Sequence, residues 1–351
     1  MNNELNKLYI EPSSRCNLAC TMCFRNSWID EELGDMDRHI FDRIVDTMPK
    51  SVRTVFFGGM GEPLIHEDIV DMVRRSASLG KRTELLSNGM LLTHDKSKAL
   101  LDAGLNMLWI SLDSVNEVGY ETIRQNSSLS SVLQNISDFN AQRAKYKDIK
   151  LGLTFVAMRR NVTQLGNLSK FAQNHGFDEV NVSNVLPTDE ASQSESLAMR
   201  IVNLGLGTEG TPPKISLPPM EASIDGVSSS LAALRQRRYC KFIGENTAFV
   251  KHDGNVSPCM ALLHSGSTFL EGKKRTIYHH SFGNVGDMGI NEIWNSAEYA
   301  DFRERVRVFE FSPCTQCGGC DYRDDNQADC FGNVKPTCGA CLWSEGVLSC
   351  P

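Results

Sequence analysis

The chain has 351 residues, of which 41% are hydrophobic and 23% charged, as expected for a globular protein with one elaborated domain or two domains. A net charge of −7 disfavours a nucleic-acid partner, and no apolar run approaches the ~20 residues of a membrane helix. Because residues 1–7 are polar and lack a signal-peptide core, we predict a cytoplasmic protein. Its twelve cysteines are then reduced and serve metal or redox chemistry.

The first half of the chain alternates between strand and helix patterns. The predicted strands are Leu8–Glu11, Thr54–Phe57, Thr83–Leu86, Met107–Leu112, Leu151–Ala157 and Glu179–Val185. The main predicted helices are Met36–Met48 with Asp37 as its cap, Glu67–Leu79, Thr93–Ala103 and Val162–His175. Six strand–helix units in series predict a parallel sheet, either an open barrel or a doubly wound sheet. In a parallel barrel the chemistry lies at the carboxyl ends of the strands.

Composition and cysteine positions divide the chain into three predicted parts. Residues 1–187 form the barrel, and residues 188–230, rich in Ser, Thr, Pro and Gly, form a linker or bridging segment. A helix is predicted near Ser228–Arg238. Residues 231–351 form a cysteine-rich domain, since nine of the twelve cysteines lie there. The segregation predicts two metal regions.

Three cysteines, Cys16, Cys20 and Cys23, follow the first strand with three and then two residues between them. Three thiolates fit a cubane of four irons and leave one iron without a protein ligand. That open iron can chelate the amino and carboxylate groups of S-adenosylmethionine (SAM) and reduce its sulfonium. The alternative is a zinc site completed by a distant ligand.

The stretch from Ile10 to Cys23, with Asn17 and Leu18 inside the motif, resembles the signature of the radical SAM superfamily. The resemblance implies a partial (β/α)6 TIM-like barrel, a SAM-binding [4Fe-4S] cluster and formation of a 5′-deoxyadenosyl radical. Family members often place an aromatic residue near the adenine, just before the third cysteine. Here Met22 stands at that position, and Phe24 is the aromatic residue we assign to the cofactor site.

Further candidate SAM contacts follow the later strands. The segment Gly58-Gly59-Met60-Gly61-Glu62-Pro63 is similar to the family segment that holds the SAM amino group, usually Gly-Gly-Glu; Met60-Gly61-Glu62 departs from it by one residue but keeps the Glu-Pro. By resemblance, Ser111 and Arg124 bind the methionine carboxylate; the alternative is that Arg124 is a solvated helix residue. Polar or backbone groups at the other strand ends are candidates for the ribose, the carboxylate and the adenine. These predicted SAM contacts are Phe24, Gly58, Gly59, Gly61, Glu62, Ser87, Asn88, Ser111, Asp113, Arg124 and Val182.

The C-terminal cysteines open with a spacing that resembles a SPASM domain, which carries auxiliary iron–sulfur clusters in radical enzymes that mature peptides and proteins. The nine predicted ligands are Cys240, Cys259, Cys314, Cys317, Cys320, Cys330, Cys338, Cys341 and Cys350. We assign Cys240, Cys259 and Cys330 to one cluster and Cys314, Cys317 and Cys320 to the other. The remaining ligands of the two clusters then come from Cys338, Cys341 and Cys350. One or two auxiliary [4Fe-4S] clusters are therefore expected, and a pair of zinc ribbons is the alternative.

One departure from the family pattern bears on the substrate. Sulfatase-maturing relatives carry an Asp directly after the second SPASM cysteine, and Met260 stands there, which disfavours sulfatase maturation. None of Asp321, Asp324, Asp325 and Asp329 stands out as the catalytic acid or base.

The tail from Asp329 to Pro351, together with the Cys16 region, resembles the maturases associated with tungsten-containing aldehyde oxidoreductases. The resemblance implies a peptide, protein or cofactor-precursor substrate, possible pairing with such an oxidoreductase, and an electron donor such as ferredoxin or flavodoxin. Two functions of other classes remain open at this point: a multi-cluster electron carrier and a zinc-stabilised binding module. The substrate, the bond formed, the fate of SAM and the oligomeric state do not follow from the sequence.

Overall fold

The fold is taken from a computed structural model that describes residues 3–29, 31–197, 227–229, 239–270, 272–314, 320–344 and 348. Its strands are β1 Lys7–Ile10, β2 Ala19–Cys20, β3 Thr54–Phe57, β4 Arg82–Ser87, β5 Met107–Ser111, β6 Arg124–Gln125, β7 Lys150–Ala157, β8 Glu179–Asn184, β9 Val227–Ser229, β10 Thr247–Val250, β11 Val256–Ser257, β12 Gly266–Leu270 and β13 Lys273–Ile277. Its helices are α1 Arg38–Thr47, α2 Ile69–Ser78, α3 His94–Asp102, α4 Glu117–Ile123, α5 Leu129–Arg143, α6 Leu165–Asn174, α7 Glu190–Glu195, α8 Lys241–Gly244, α9 Ile290–Trp294 and α10 Ala297–Val308.

Nine of the described strands form one sheet in the order β11-β10-β1-β3-β4-β5-β7-β8-β9. Every neighbouring pair in this sheet is parallel except β10 with β11. The six central strands are the six predicted from the sequence, within one residue at each end. The prediction of an α/β barrel-like fold with a parallel sheet is therefore confirmed.

Alternate residues of each central strand pack on opposite faces of the sheet, as the period of a strand requires. Leu8 and Ile10 of β1 belong to the large core beneath the helices, whereas Tyr9 between them faces the inner side. Phe56 of β3 and Phe249 of β10 lie with Tyr9 there, each with its ring centroid 4.4 Å from that of Tyr9. The strands read as nearly continuous apolar runs because both faces are covered.

Helix ends follow the local signals in the sequence. The Asp37 carboxylate accepts a hydrogen bond from the backbone N–H of His39, as the predicted cap of α1. Helix α2 ends before Gly80, whose φ of +72° suits the left-handed turn that closes a helix. Such short-range signals fix where each helix starts and stops, and so they fix which strand ends face the site.

The segment predicted as a linker contains a helix and a strand among its described residues. Helix α7 lies within residues 188–230, and β9 pairs parallel with β8. The helix predicted near Ser228–Arg238 is wrong at its start, because Ser228 and Ser229 belong to β9, and residues 230–238 lie outside the described residues. Strand β10 follows Cys240 and pairs with β1, so the C-terminal part joins the sheet directly. The division at residues 187 and 230 remains a prediction.

Within the described parts of the chain, no helix combines the length and the apolar character needed to cross a membrane.

Candidate functional site

Three thiols stand at the carboxyl end of β1, around one cavity. Cys16, Cys20 and Cys23 all line this cavity, whose volume is about 300 Å³. The backbone N–H of Cys23 donates to the carbonyl of Cys20 at 3.2 Å, which folds the motif into a tight turn. The three thiols therefore converge on one space, as the spacing of the motif predicts.

Burial sets the electrostatics of these thiols. It raises the pKa of Cys20 to about 11, with the Arg124 guanidinium opposing and the charges of Asp113, Cys23 and Cys16 adding to the rise. Burial likewise raises the pKa of Cys23. Three thiolates in one buried place repel one another, so they need a positively charged partner such as a metal cluster. Among the described residues no three His, Cys, Asp or Glu side chains are close enough to hold a single metal ion, whereas a cluster binds each thiolate at a different iron.

The glycine segment after β3 packs tightly against the chain that leads to Cys16. A Cβ on Gly61 would lie 2.0 Å from the carbonyl oxygen of Ser13, and the backbone N–H of Glu62 donates to the carbonyl of Arg15 at 2.7 Å. Only glycine permits that approach at position 61. We call the stretch from Ser13 to Trp28, which carries Cys16, Cys20 and Cys23, the cysteine loop. The glycine segment and the cysteine loop therefore hold each other in place beside the cavity.

The Glu62 side chain organises the next strand end. It is 2% exposed and accepts hydrogen bonds from Leu64 N–H at 3.1 Å, Ser87 Oγ at 2.8 Å and Asn88 N–H at 2.8 Å. The Asn88 amide in turn donates to Asn17 Oδ1 at 2.9 Å and lies 3.8 Å from Cys16 Sγ. Glu62 thus joins the ends of β3 and β4 to the cysteine loop.

A buried ion pair stands beneath the cysteine motif. Arg124 and Asp113 are 2.8 Å apart, with side chains 8% and 1% exposed, and Arg124 Nη1 lies 4.0 Å from Cys20 Sγ. Strand β6 brings Arg124 there, because β6 pairs antiparallel with β2 and sets Arg124 opposite Cys20. Asp113 also accepts from the backbone N–H of Val156 at 2.8 Å and does not line the cavity. Asp113 therefore positions Arg124, which is buried and not the solvated helix residue of the alternative reading.

The structure brings eight of the predicted SAM contacts to the cavity wall: Phe24, Gly59, Gly61, Glu62, Ser87, Asn88, Ser111 and Arg124. Gly58, Asp113 and Val182 do not line it. Val182 packs into the core beneath the helices, and its neighbours Asn181 and Ser183 face the cavity instead, since side chains alternate along β8.

Several residues of the cavity wall were not among the predicted SAM contacts. They are mainly apolar: Tyr9, Leu18, Met22, Phe56, Met60, Leu86, Phe155, Leu186, Met260, Trp343 and Leu348. Strand alternation could have indicated Tyr9 and Phe56, because their neighbours face the opposite core. The family resemblance singles out the position of Met260, where sulfatase-maturing relatives carry an Asp, whereas no local signal indicates Trp343; both reach the cavity from the C-terminal part.

Four C-terminal thiols form a second group. Burial raises the pKa of Cys240 to about 12, and the nearby Cys341 adds to it. Burial also raises the pKa of Cys259, with Cys341 and Cys240 adding, and that of Cys338, with Cys341, Cys259 and Cys240 adding. Burial raises the pKa of Cys341 as well. Four mutually interacting thiols match the four ligands of an iron–sulfur cluster.

This grouping differs from the division drawn from the sequence. Cys330, expected beside Cys240 and Cys259, is exposed, and Cys338 and Cys341 take its place. The reason is that Asp329 ties the Cys330 loop to Ser312 and Asn333 through hydrogen bonds and turns it outward. Cys314 is buried beside Ser312 Oγ at 3.0 Å. Cys320 is partly buried, and Cys317 and Cys350 lie outside the described residues.

Comparisons with protein families match both cysteine regions. Residues 10–155 match the Radical SAM superfamily, and residues 240–321 match SPASM, an iron–sulfur cluster-binding domain. The chain is 32% identical to the tungsten-containing aldehyde ferredoxin oxidoreductase cofactor-modifying protein of Pyrococcus furiosus, over 98% of this chain and 96% of that protein. It is 25% identical to the PqqA peptide cyclase of Gluconobacter oxydans, over 97% of this chain and 92% of that protein.

Solved structures share the fold. Streptococcus suis SuiB bound to S-adenosylmethionine matches with a TM-score of 0.64 and 16% identity, over 93% of this chain and 73% of that one. Native anSMEcpe with bound AdoMet and Cp18Cys peptide matches with a TM-score of 0.58 and 16% identity, over 98% of this chain and 96% of that one.

Proposed function

Because this chain belongs to the radical SAM superfamily and carries a SPASM domain, we propose that it cleaves SAM reductively and abstracts hydrogen from a peptide, protein or cofactor precursor. The observation that carries the proposal is the convergence of Cys16, Cys20 and Cys23 on one cavity. Within the described wall of that cavity there is no fourth cysteine. Cys16, Cys20 and Cys23 would hold a [4Fe-4S] cluster, which would supply an iron free to bind SAM and the electron needed to break the sulfonium bond of SAM.

The residues of the cavity wall have separate roles in this proposal. Arg124 and Ser111 bind the methionine carboxylate of SAM, and Asp113 keeps the guanidinium in place. The backbone around Gly59 and Gly61 receives the amino group. Apolar side chains exclude water from the reacting centre, which protects a carbon radical from side reactions.

The second thiol group extends the proposal. Cys240, Cys259, Cys338 and Cys341 hold one auxiliary cluster, and the cysteines from Cys314 to Cys320, with Cys330 and Cys350 as further candidates, hold a second. Clusters held by these cysteines would supply a site to ligate the substrate or an acceptor for the electron left after hydrogen abstraction. The domain limits 1–187, 188–230 and 231–351 belong to the same proposal.

The similarity to the Pyrococcus furiosus protein supports a more specific substrate: a tungsten-dependent aldehyde oxidoreductase or its cofactor, matured in the cytoplasm. A low-potential carrier such as ferredoxin or flavodoxin supplies the electron. Met260, at the cavity wall where sulfatase-maturing relatives carry an Asp, is consistent with a substrate other than a sulfatase.

The decisive experiment is an anaerobic purification followed by iron and zinc counts and addition of SAM with dithionite. We expect a brown protein that forms 5′-deoxyadenosine even without substrate. A brown protein that leaves SAM intact would support the electron carrier instead, and zinc without iron would support the binding module.

The glycine segment gives a prediction about SAM binding. In Gly61→Ala the new methyl group would overlap the carbonyl of Ser13, so the segment and the cysteine loop must separate. We expect SAM affinity to fall about tenfold or more, because a binding site tolerates only displacements well below 1 Å. Equilibrium dialysis with labelled SAM measures the effect. Gly166→Ala in α6 is the control, since no atom lies within 4 Å of its new Cβ, and equal affinities in the two variants would contradict the assigned role.

A further inference from the structure

A buried network of charged side chains joins the C-terminal part of the chain to the glycine segment and to the cysteine loop, both of which border the SAM cavity. His264 is fully buried, and its Nε2 lies 2.8 Å from Glu11 Oε2, while its Nδ1 lies 3.0 Å from Glu31 Oε2. Glu31 is also bound by Lys251 at 2.8 Å. Glu11 directly follows β1, and Glu31 follows the cysteine motif, so one imidazole bridges two separate segments of the barrel.

Because a carboxylate faces each ring nitrogen, both nitrogens must carry hydrogen, and His264 is an imidazolium. Burial alone lowers the pKa of His264, but the hydrogen bonds and charges of Glu11 and Glu31 raise it. Burial alone raises the pKa of Glu11, and the nearby His252, 3.6 Å away, together with the hydrogen bonds from His264 and from the Met60 N–H brings it down to about 2. Two carboxylates, the imidazolium and the Lys251 ammonium sum to zero charge, which is the condition for burying them together.

Glu11 transmits this arrangement to the glycine segment. Its Oε1 accepts a hydrogen bond from the backbone N–H of Met60 at 2.8 Å, and a Cβ on Gly59 would lie only 2.5 Å from that same oxygen. The carboxylate therefore lies directly beneath the segment proposed to receive the SAM amino group. A shift of Glu11 moves Met60 with it.

The cysteine loop is held by the same imidazolium. Trp28 stacks on the His264 ring with centroids 4.1 Å apart, a favourable contact for a cation. Trp28 directly follows the 3-10 helix Phe24–Ser27, whose N-cap is Cys23. The ring thus contacts the chain on the far side of the third cysteine while it fixes the glycine segment through Glu11.

We propose that His264 is a positioning residue for SAM, which fixes the glycine segment and the cysteine loop relative to each other from the C-terminal part of the chain. The proposal goes beyond the proposed function, because it makes SAM affinity depend on a side chain outside the barrel that does not line the cavity. It requires the protonated ring, since a neutral ring can donate to only one of the two carboxylates.

The test is His264→Gln in the full chain, reconstituted with iron and sulfide and assayed with SAM. We expect the dissociation constant for SAM to rise about tenfold or more, because a charge-assisted bridge is lost, with iron per chain unchanged. At saturating SAM, the rate of 5′-deoxyadenosine formation should stay within about twofold, since no reacting group is removed. His66→Gln is the matched control: His66 is also buried, and it contacts Met36 and Asp68 instead.

The pH profile separates positioning from general destabilisation. The groups that face His264 are Glu11, Glu31, Lys251 and His252. Because the pKa of His264 is raised, the network is complete below that pKa and is lost as pH rises through it, above the ordinary value of about 6.5. Wild-type SAM affinity should fall in that range, and His264→Gln should lack this dependence.

If His264→Gln fails to retain iron, Glu31→Gln decides, because it weakens the same imidazolium from the side away from Glu11. Reduced SAM affinity in that variant would support the proposal. Wild-type affinity with an unchanged pH profile, in either variant that retains its iron, would overturn it. The proposal rests on the SAM binding of the proposed function but not on SAM cleavage. A wild type that binds SAM yet forms no 5′-deoxyadenosine would refute the proposed cleavage and leave the role of His264 to the binding measurements.

Discussion

Replacing Cys20 by alanine is expected to abolish 5′-deoxyadenosine formation while most of the iron of the chain is retained. Cys20 is one of only three cysteines on the described wall of the cavity, so its loss leaves two thiolates for a cluster that needs three. The variant should lose about four iron atoms per chain, those of a single [4Fe-4S] cluster, and keep the iron of the auxiliary region. Iron and sulfide counts, with chromatographic detection of 5′-deoxyadenosine, measure both effects.

The neighbouring Thr21 provides the control for this variant. Its side chain is exposed, and its hydroxyl contacts only the Ile123 carbonyl at 3.5 Å, so Thr21→Ala should keep both the iron and the cleavage of SAM. If Cys20→Ala still cleaved SAM at the wild-type rate, the assignment of the first cysteine motif would be wrong. Loss of iron from both regions at once would mean that the two regions fold as one unit and would not support separate clusters.

The second large effect concerns the auxiliary group. Cys259→Ala should lose about four iron atoms per chain yet still form 5′-deoxyadenosine from SAM alone, because Cys259 does not line the SAM cavity. Conversion of the physiological substrate should stop, since the auxiliary cluster is proposed to bind the substrate or accept its electron. Thermal unfolding should begin at a lower temperature, because cluster binding contributes to folding.

Comparing single and double variants tests which cysteines share this cluster. Cys341 interacts with Cys259 and Cys240, so Cys341→Ala should lose the same iron atoms as Cys259→Ala. The double variant should then lose no more iron than either single variant. If instead the double variant lost about twice as much, the two cysteines would serve different clusters, and the grouping found in the structure would be incorrect.

Much of the fold could be predicted from the sequence because the signals are local. Thr54–Phe57 was predicted with its observed bounds, since a short apolar run between turns indicates a buried parallel strand. Asp37 was recognised as a cap because the cap bond spans only two residues. The cysteines from Cys16 to Cys23 lie within eight consecutive residues, and a turn joins Cys20 to Cys23, so their spacing alone predicts that their thiols converge.

The alternation of side chains limited prediction at the strand ends. Val182 was assigned to the cofactor through its backbone groups; its side chain faces the opposite core, while Asn181 and Ser183 face inward. A shift of one residue along a strand moves every side chain to the other face, and motif resemblance does not resolve such a shift. Asp113 was assigned to the cofactor, but it pairs with Arg124 instead. The sequence does not indicate this ion pair, because it depends on the pairing of β2 with β6, which are far apart in the chain.

The sequence by itself determined the six central strands, the helix caps and the first thiol group, all of which depend on residues close together in the chain. Only the tertiary structure decided that Cys338 and Cys341, and not Cys330, join Cys240 and Cys259. It alone brought His264 between Glu11 and Glu31, partners separated from it by 253 and 233 residues. Contacts at such separations depend on how whole elements pack, and spacing along the chain carries no record of that packing.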